Sequence, residues 1–342
     1  MPGRFHIARI LSSSYSLRCV VFHNISALDS PYTKGINVST TPRKFEDALR
    51  FLTQHYTPVR LDDVLADPDG RNLPARAVLV TFDDAYASVA ELAAPLCRKY
   101  GVPAVFFVNA AFLDNQRLAP DNLVCYVANV LGMKTINVAA RAVRGTDMPE
   151  LHSLAEVFTI FFPTMTLTER GAFLDALRQL GGISDRQLAK ESVLYLTTEQ
   201  LRALASFGLE IGNHTYSHTH CRSLSREDIR LEVERNRAEL EAVSGRKVRS
   251  FSPPYGSSRD LTGELKSHLQ HSGYEAIFLS ESVANPKGAD PFHLDRVNPR
   301  VDRDDSFFLD LEILPRLRSV RNRLSGRSRL FGTRKNLRTS VN

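Results

Sequence analysis

Tryptophan is absent from this 342-residue chain, and cysteine occurs only four times. Cys19, Cys97, Cys125 and Cys221 lie far apart, with no C-x-x-C pair. That argues against a thiolate zinc site and against a disulfide-stapled scaffold. No run of about 18 consecutive apolar residues occurs, so no membrane-spanning helix is expected. The first residues include basic groups but no apolar stretch leading to a small-residue cleavage site. A cytosolic location is the default expectation. Acidic residues are missing from one place: 316–342 holds nine Lys or Arg and no Asp or Glu. The whole chain carries 44 basic and 38 acidic residues, a net charge of +6. Without that tail the balance is 35 against 38, or −3. The body is therefore mildly acidic, with no basic stripe interleaved with aromatics, so no specific nucleic-acid partner is expected. The tail is either a flexible, solvated end or a peripheral contact with an anionic membrane.

What is present fits a soluble globular protein. Apolar residues make up 43% and charged residues 24%, which excludes disordered and collagenous classes. Leu17–Phe22 is the first clear strand, Ala77–Phe82 is a near-continuous apolar run with no alternation, and Pro103–Val108 reads as another. Such runs suit strands buried on both faces, as in a parallel sheet. Shorter strands are expected over Gly208–Gly212, Val248–Phe251 and Tyr274–Leu279. Helices alternate with them. Thr41-Pro42 opens one, with Phe45, Leu49 and Leu52 on its inner face. Another runs to Tyr100 and closes at Gly101. Thr197 with Gln200 forms a capping box. Ser225 caps a helix with Ile229, Val233, Leu240 and Val243 as its apolar stripe. Leu261–Gln270 is helical, and Asp304–Leu314 is expected to be stopped by Pro315. The order implies an α/β fold with a parallel sheet, open or closed into a barrel. Residues 113–196 break the rhythm with helical patterns such as Thr168–Leu180 and read as an insertion.

Three groups of residues follow strand ends. Thr81-Phe82-Asp83-Asp84 places two adjacent carboxylates after an apolar strand. They fit either a divalent cation or a turn that caps the next helix. Asn213-His214-Thr215-Tyr216-Ser217-His218 offers two imidazoles four apart, with His220 a third nearby. Alone, that spacing fits a metal or ordinary surface histidines. Phe251-Ser252-Pro253-Pro254-Tyr255-Gly256 is a stiff turn. It can aim a backbone N–H at a fixed point, or simply connect two elements.

Taken in order, VLVTFDDAY, GLEIGNHTYSHTH and VRSFSPPYG resemble the polysaccharide deacetylases, the NodB-homology group of carbohydrate esterases. YGVPAVFFV, the early VVFHNI and the late PFHLDRVNPR are also similar, the last to exopolysaccharide-modifying members. The likeness covers a catalytic domain over 17–313, leaving 314–342 as the basic tail. It implies a distorted (β/α) barrel with a mostly helical insertion and one divalent metal, usually zinc. The resemblance makes Asp84, His214 and His218 the metal ligands and Asp83 the general base. The Tyr255 backbone N–H would hold the oxyanion. Pro254 and Tyr216 would touch an acetylated carbohydrate substrate, with Phe112 and Tyr126 as further stacking candidates. A histidine after the first strand, as in some exopolysaccharide deacetylases, makes His23 the leading general acid and His293 the second. The implied activity is removal of acetyl groups, N-acetyl ahead of O-acetyl, from a sugar or its polymer.

The chain also departs from the family. Ala85 stands where glycine is frequent, and Ser252 stands where an arginine often pairs with the catalytic Asp. The tryptophan motif is missing, and no Leu-x-x-His is visible after the last expected strand. These departures leave room for a degenerate member that binds carbohydrate without turnover.

Overall fold

The unalternating apolar runs become the wall of a barrel. The computed structural model describes residues 15–28, 30–67, 70, 72–299 and 304–324. Seven strands follow one another around it: β1 (Tyr15–Phe22), β2 (Ala77–Phe82), β3 (Ala104–Val108), β4 (Glu210–Asn213), β5 (Ser250–Phe251), β6 (Ala276–Leu279) and β7 (Leu294–Asp295). Each is parallel to the next. Past β7, Val297 bridges back to β1: its N–H donates to Cys19 O and Val21 N–H donates to its carbonyl, both at 2.9 Å. The sheet is thus nearly closed. Short strands Thr57–Pro58 and Asn285–Pro286 add to β2 and β1.

Each residue of β2 is buried because both faces are covered. Val78, Val80 and Phe82 face outward and pack with Phe45, Leu49 and Leu52 of α1 (Pro42–His55). Leu79 shares the inner cluster with Phe107 and Phe278, whose rings lie 5.4 Å apart. The helix signals act as expected. Thr41 Oγ1 accepts from Lys44 N–H at 3.3 Å, and Gly101 closes α2 (Ala94–Tyr100) in the left-handed region at φ 65°.

Residues between β3 and β4 form helices α3 (Pro120–Val130), α4 (Met133–Arg144), α5 (Leu167–Gly181), α6 (Asp185–Ser192) and α7 (Thr198–Ser206). All but the last build a second apolar core, in which Phe173 meets Phe161 and Phe162 edge-on at 5.2 and 5.8 Å. Ser225 and Gly245 bound the next helical stretch, which ends in α8 (Arg235–Ser244); α9 (Gly263–His271) follows.

The stop expected at Pro315 does not occur. The chain stays helical from Asp304 into α10 (Leu314–Leu324). A five-residue π-turn, Leu309–Ile313, precedes the proline, and Leu314 N–H donates to Leu309 O. The widened turn accommodates a residue with no N–H of its own. The first part of the basic tail is therefore an ordered helix, while 325–342 lie outside the described residues. Among the described residues, no helix is long and apolar enough to cross a membrane.

Candidate active site

Each barrel strand hands a residue to the same rim. After β1 comes His23, after β2 Asp83 and Asp84, after β3 Asn109, and after β4 His214. Ser252, Ser280 and Arg296 follow β5, β6 and β7. A parallel barrel places all these carboxyl ends together. They open onto a cavity of about 980 Å³ lined by His23, Asp83, Asp84, His214, His218 and Tyr255, among others.

The turns that follow the strands have unusual backbones. Asp84, Ala85, Thr215, His218 and Tyr255 all have φ between 53° and 74°, although none is glycine. Residues held there cluster where function over-determines the chain. Gly256 needs its missing side chain: at φ 64° a Cβ would come within 2.4 Å of Ser280. The loop carrying both histidines is braced from below. Asn213 Oδ1 accepts from Thr215 N–H at 2.9 Å and Asn236 Nδ2 at 2.7 Å. Glu232 accepts from the Ser217 N–H at 2.8 Å.

Asp84, His214 and His218 bring one ligand atom each within 4.8 Å of one another. Asp84 Oδ1 lies 3.3 Å from His214 Nε2 and 3.2 Å from His218 Nε2. The other ring nitrogens are taken. His214 Nδ1 donates to Ser252 O at 2.7 Å, and His218 Nδ1 meets the Asp121 carboxylate. A carbonyl accepts only, so Nδ1 of His214 carries a proton and Nε2 is the nitrogen that can act as a ligand. Burial opposes a charge on His218, yet Asp121 and Asp84 push its pKa up to about 10. A pocket that favours positive charge so strongly, with two imidazoles and a carboxylate converging, fits a divalent cation.

Asp83 is held differently. Its carboxylate accepts from Arg296 Nη1 at 2.7 Å and Nη2 at 2.8 Å. Burial works against its ionised form, but Arg296 and then His214 keep it below the usual carboxylate range. Arg296, itself 1% exposed, is fixed by donating to Ser252 Oγ at 2.7 Å, Ser280 Oγ at 3.0 Å and Leu279 O at 3.1 Å. His23 lies near enough to both carboxylates to lower their pKa values, and no hydrogen bond from a described residue holds its ring.

Residues 70–276 match the sequence profile of the polysaccharide deacetylases. The chain belongs to the polysaccharide deacetylase family. Solved structures share its fold. IcaB from Ammonifex degensii is 20% identical, with a TM-score of 0.53, 86% of this chain covered and 95% of that one. The Streptococcus pyogenes deacetylase PplD is 13% identical at TM-score 0.57, with coverage of 86% and 97%. A de-N-acetylase from Aggregatibacter actinomycetemcomitans is 16% identical at TM-score 0.55, with coverage of 86% and 99%.

Within this polysaccharide deacetylase, other expected contacts fall elsewhere. Tyr216 is not a cavity residue: its ring lies under Arg235, 3.9 Å from the guanidinium carbon. Pro254 is buried within the turn and is not among the residues lining the cavity. Tyr126 stacks on Tyr32 at 5.1 Å, while Phe112 does reach the cavity wall. His293 is not among the lining residues. His220 stays out of the cation cluster; it stacks on Tyr255 at 3.7 Å, with Nδ1 3.2 Å from Asp260. Two residues were not foreseen. Arg296 does from β7 what the missing arginine at Ser252 would do. Its signal was available, because it sits in the PFHLDRVNPR segment. Asp121 binds both His218 Nδ1 and, at 2.7 Å, the Tyr255 hydroxyl. It had no motif, only a place in the first turn of α3.

Proposed function

We propose that this polysaccharide deacetylase hydrolyses N-acetyl groups on an amino sugar, in an oligo- or polysaccharide or a precursor of one. Asp84, His214 and His218 would hold a single divalent ion, with zinc the natural choice for two imidazoles and a carboxylate. When bound, such an ion supplies Lewis acidity and lowers the pKa of water beside it. Asp83, ionised and aimed by Arg296, accepts the proton of the attacking water. The Tyr255 backbone N–H, carried on the rigid Pro253-Pro254 turn, donates to the oxygen of the tetrahedral species. His23 gives a proton to the departing amine, which an amide needs more than an ester does. The single observation that carries this reading is the clamped, ionised Asp83 lying next to a ligand cluster that faces an open cavity.

The test pairs metal analysis with acetate release from N-acetylglucosamine oligomers and acetylated xylan. The expected result is turnover of the amide substrate, dependent on bound metal. His214→Ala should lose both metal and activity. Asp83→Asn should keep the metal and lose about 10²–10⁴-fold in rate, the scale of a general base. Release from xylan alone would overturn the N-acetyl assignment. No release by the metal-loaded protein from either substrate would overturn the activity.

A further inference from the structure

The ordered start of the basic tail lies at the mouth of the catalytic cavity. Arg318 and Arg321 of α10 are both lining residues, three positions apart and so on one face of the helix. Among the described residues neither has an ion-pair partner. Arg259, exposed on another wall, is likewise unpaired. The acidic groups of the cavity are already engaged. Asp83 holds Arg296, Asp84 and Asp121 hold imidazoles, and Glu281 accepts from Ser258 Oγ at 2.6 Å. Glu281 keeps its charge, since a hydroxyl does not neutralise it, but the three unpaired arginines outnumber it.

The helix is not a loose end swung there by chance. Glu312, 1% exposed, accepts from Arg18 Nε at 2.8 Å, Tyr56 Oη at 2.9 Å and Arg316 Nη2 at 2.9 Å. Ser319 Oγ accepts from Ala284 N–H at 3.1 Å, beside Val283 of the cavity wall. These anchors fix the face that presents Arg318 and Arg321. Fork-shaped guanidinium groups suit phosphate and carboxylate oxygens. A cavity of about 980 Å³ is at the upper end of ligand-site sizes, with room beyond one sugar ring.

We propose that Arg318 and Arg321, assisted by Arg259, form a subsite for an anionic group carried by the acetylated substrate, either a phosphate ester or a carboxylate. This rests on the deacetylase reading of the same cavity.

The experiment uses the full chain loaded with metal and three substrates. These are a neutral N-acetylglucosamine oligomer, N-acetylglucosamine 1-phosphate, and a disaccharide of N-acetylglucosamine with a uronic acid. At least one anionic substrate should exceed the neutral one in kcat/KM, and whichever does identifies the source of the charge. In Arg318→Gln/Arg321→Gln, the ratio of anionic to neutral kcat/KM should fall roughly tenfold or more, mainly through KM, as two lost charge-assisted contacts imply. Arg202→Gln, an exposed change outside the cavity, should leave the ratio alone. Calorimetric binding of N-acetylglucosamine 1-phosphate supplies a readout free of turnover and should weaken in the double variant. An unchanged ratio with unchanged binding would overturn the subsite. So would loss confined to binding of phosphatidylserine vesicles, which would make α10 a membrane contact. Arginine-dependent binding with no acetate release from any substrate would uphold the subsite and overturn the catalytic reading.

Discussion

The barrel rim and the helical insertion treat the same loop in different ways. The rim supplies Asp83, Asp84 and His214 to the cavity wall, with Arg296 buried against Asp83. Insertion residues hold the histidine loop in place, Asp121 from the cavity wall itself. Asp121 of α3 receives His218 Nδ1, and Arg170 of α5 donates to His218 O at 2.9 Å and Ser217 Oγ at 2.8 Å. Both are buried, at 9% and 7% exposure. A loop held in a left-handed backbone at Thr215 and His218 needs support from outside its own strand. The comparison teaches that reactive geometry is set where strands end, while part of its rigidity is borrowed from an element with its own core.

The largest effect separating the two regions is expected at Arg296, on the rim. Arg296→Met should leave Asp83 buried with no counter-charge, so its carboxylate would lose both orientation and ionisation. We expect a fall of about 10²-fold or more in kcat, with metal content retained. Arg296→Lys should recover part of that loss as a point charge but not all, lacking the two-pronged fit. Acetate-release kinetics with metal analysis on each variant check this. If Arg296→Met lost metal instead of rate, the arginine would be supporting the cation cluster and not the base.

Asp121 should give a smaller and different effect. Asp121→Asn keeps the shape of the contact but removes the charge behind His218. Metal affinity should drop about 10–100-fold, the usual scale for such a partner. At saturating metal, kcat should stay closer to that of the unchanged protein than for any rim variant. A competition titration with a chelator reads the first quantity and steady-state kinetics the second. A loss of kcat with unchanged affinity would place Asp121 in the chemistry, through its bond to Tyr255, and would dissolve the distinction between rim and support.

This division also governs what was legible in the sequence. The barrel strands could be read because burial on both faces erases alternation, as in AVLVTF. The three motifs could be read because each follows such a strand directly, so spacing along the chain translates into position on the rim. Arg296 was hidden by an expectation tied to one position. A serine at 252 reads as a missing arginine until the barrel shows that β5 and β7 face the same point. Asp121 was not legible at all. Its contact to His218 spans 97 positions and depends on how an insertion docks, which no local pattern records. The continuation of helix through Pro315 was missed because a π-turn leaves no signature that outweighs proline.

The smallest effect tests the backbone alone. Ala85 sits on the rim at φ 58°, yet it is 3% exposed, and its carbonyl accepts from Leu196 N–H at 2.9 Å. A left-handed residue other than glycine costs about 1–2 kcal/mol. Ala85→Gly relieves that strain. It also gives up a buried methyl worth about 0.8 kcal/mol and adds freedom to the unfolded chain. The terms nearly cancel, so stability should change by less than about 0.5 kcal/mol. Ala139, fully buried in the regular helix α4 of the insertion, has no strain to relieve. Ala139→Gly should cost about 1–2 kcal/mol from helix propensity and the lost methyl together. Denaturant titrations of both variants compare the regions directly. Equal losses at the two sites would mean that the rim turn is not strained, and that the family's frequent glycine after the Asp pair answers to something other than backbone geometry.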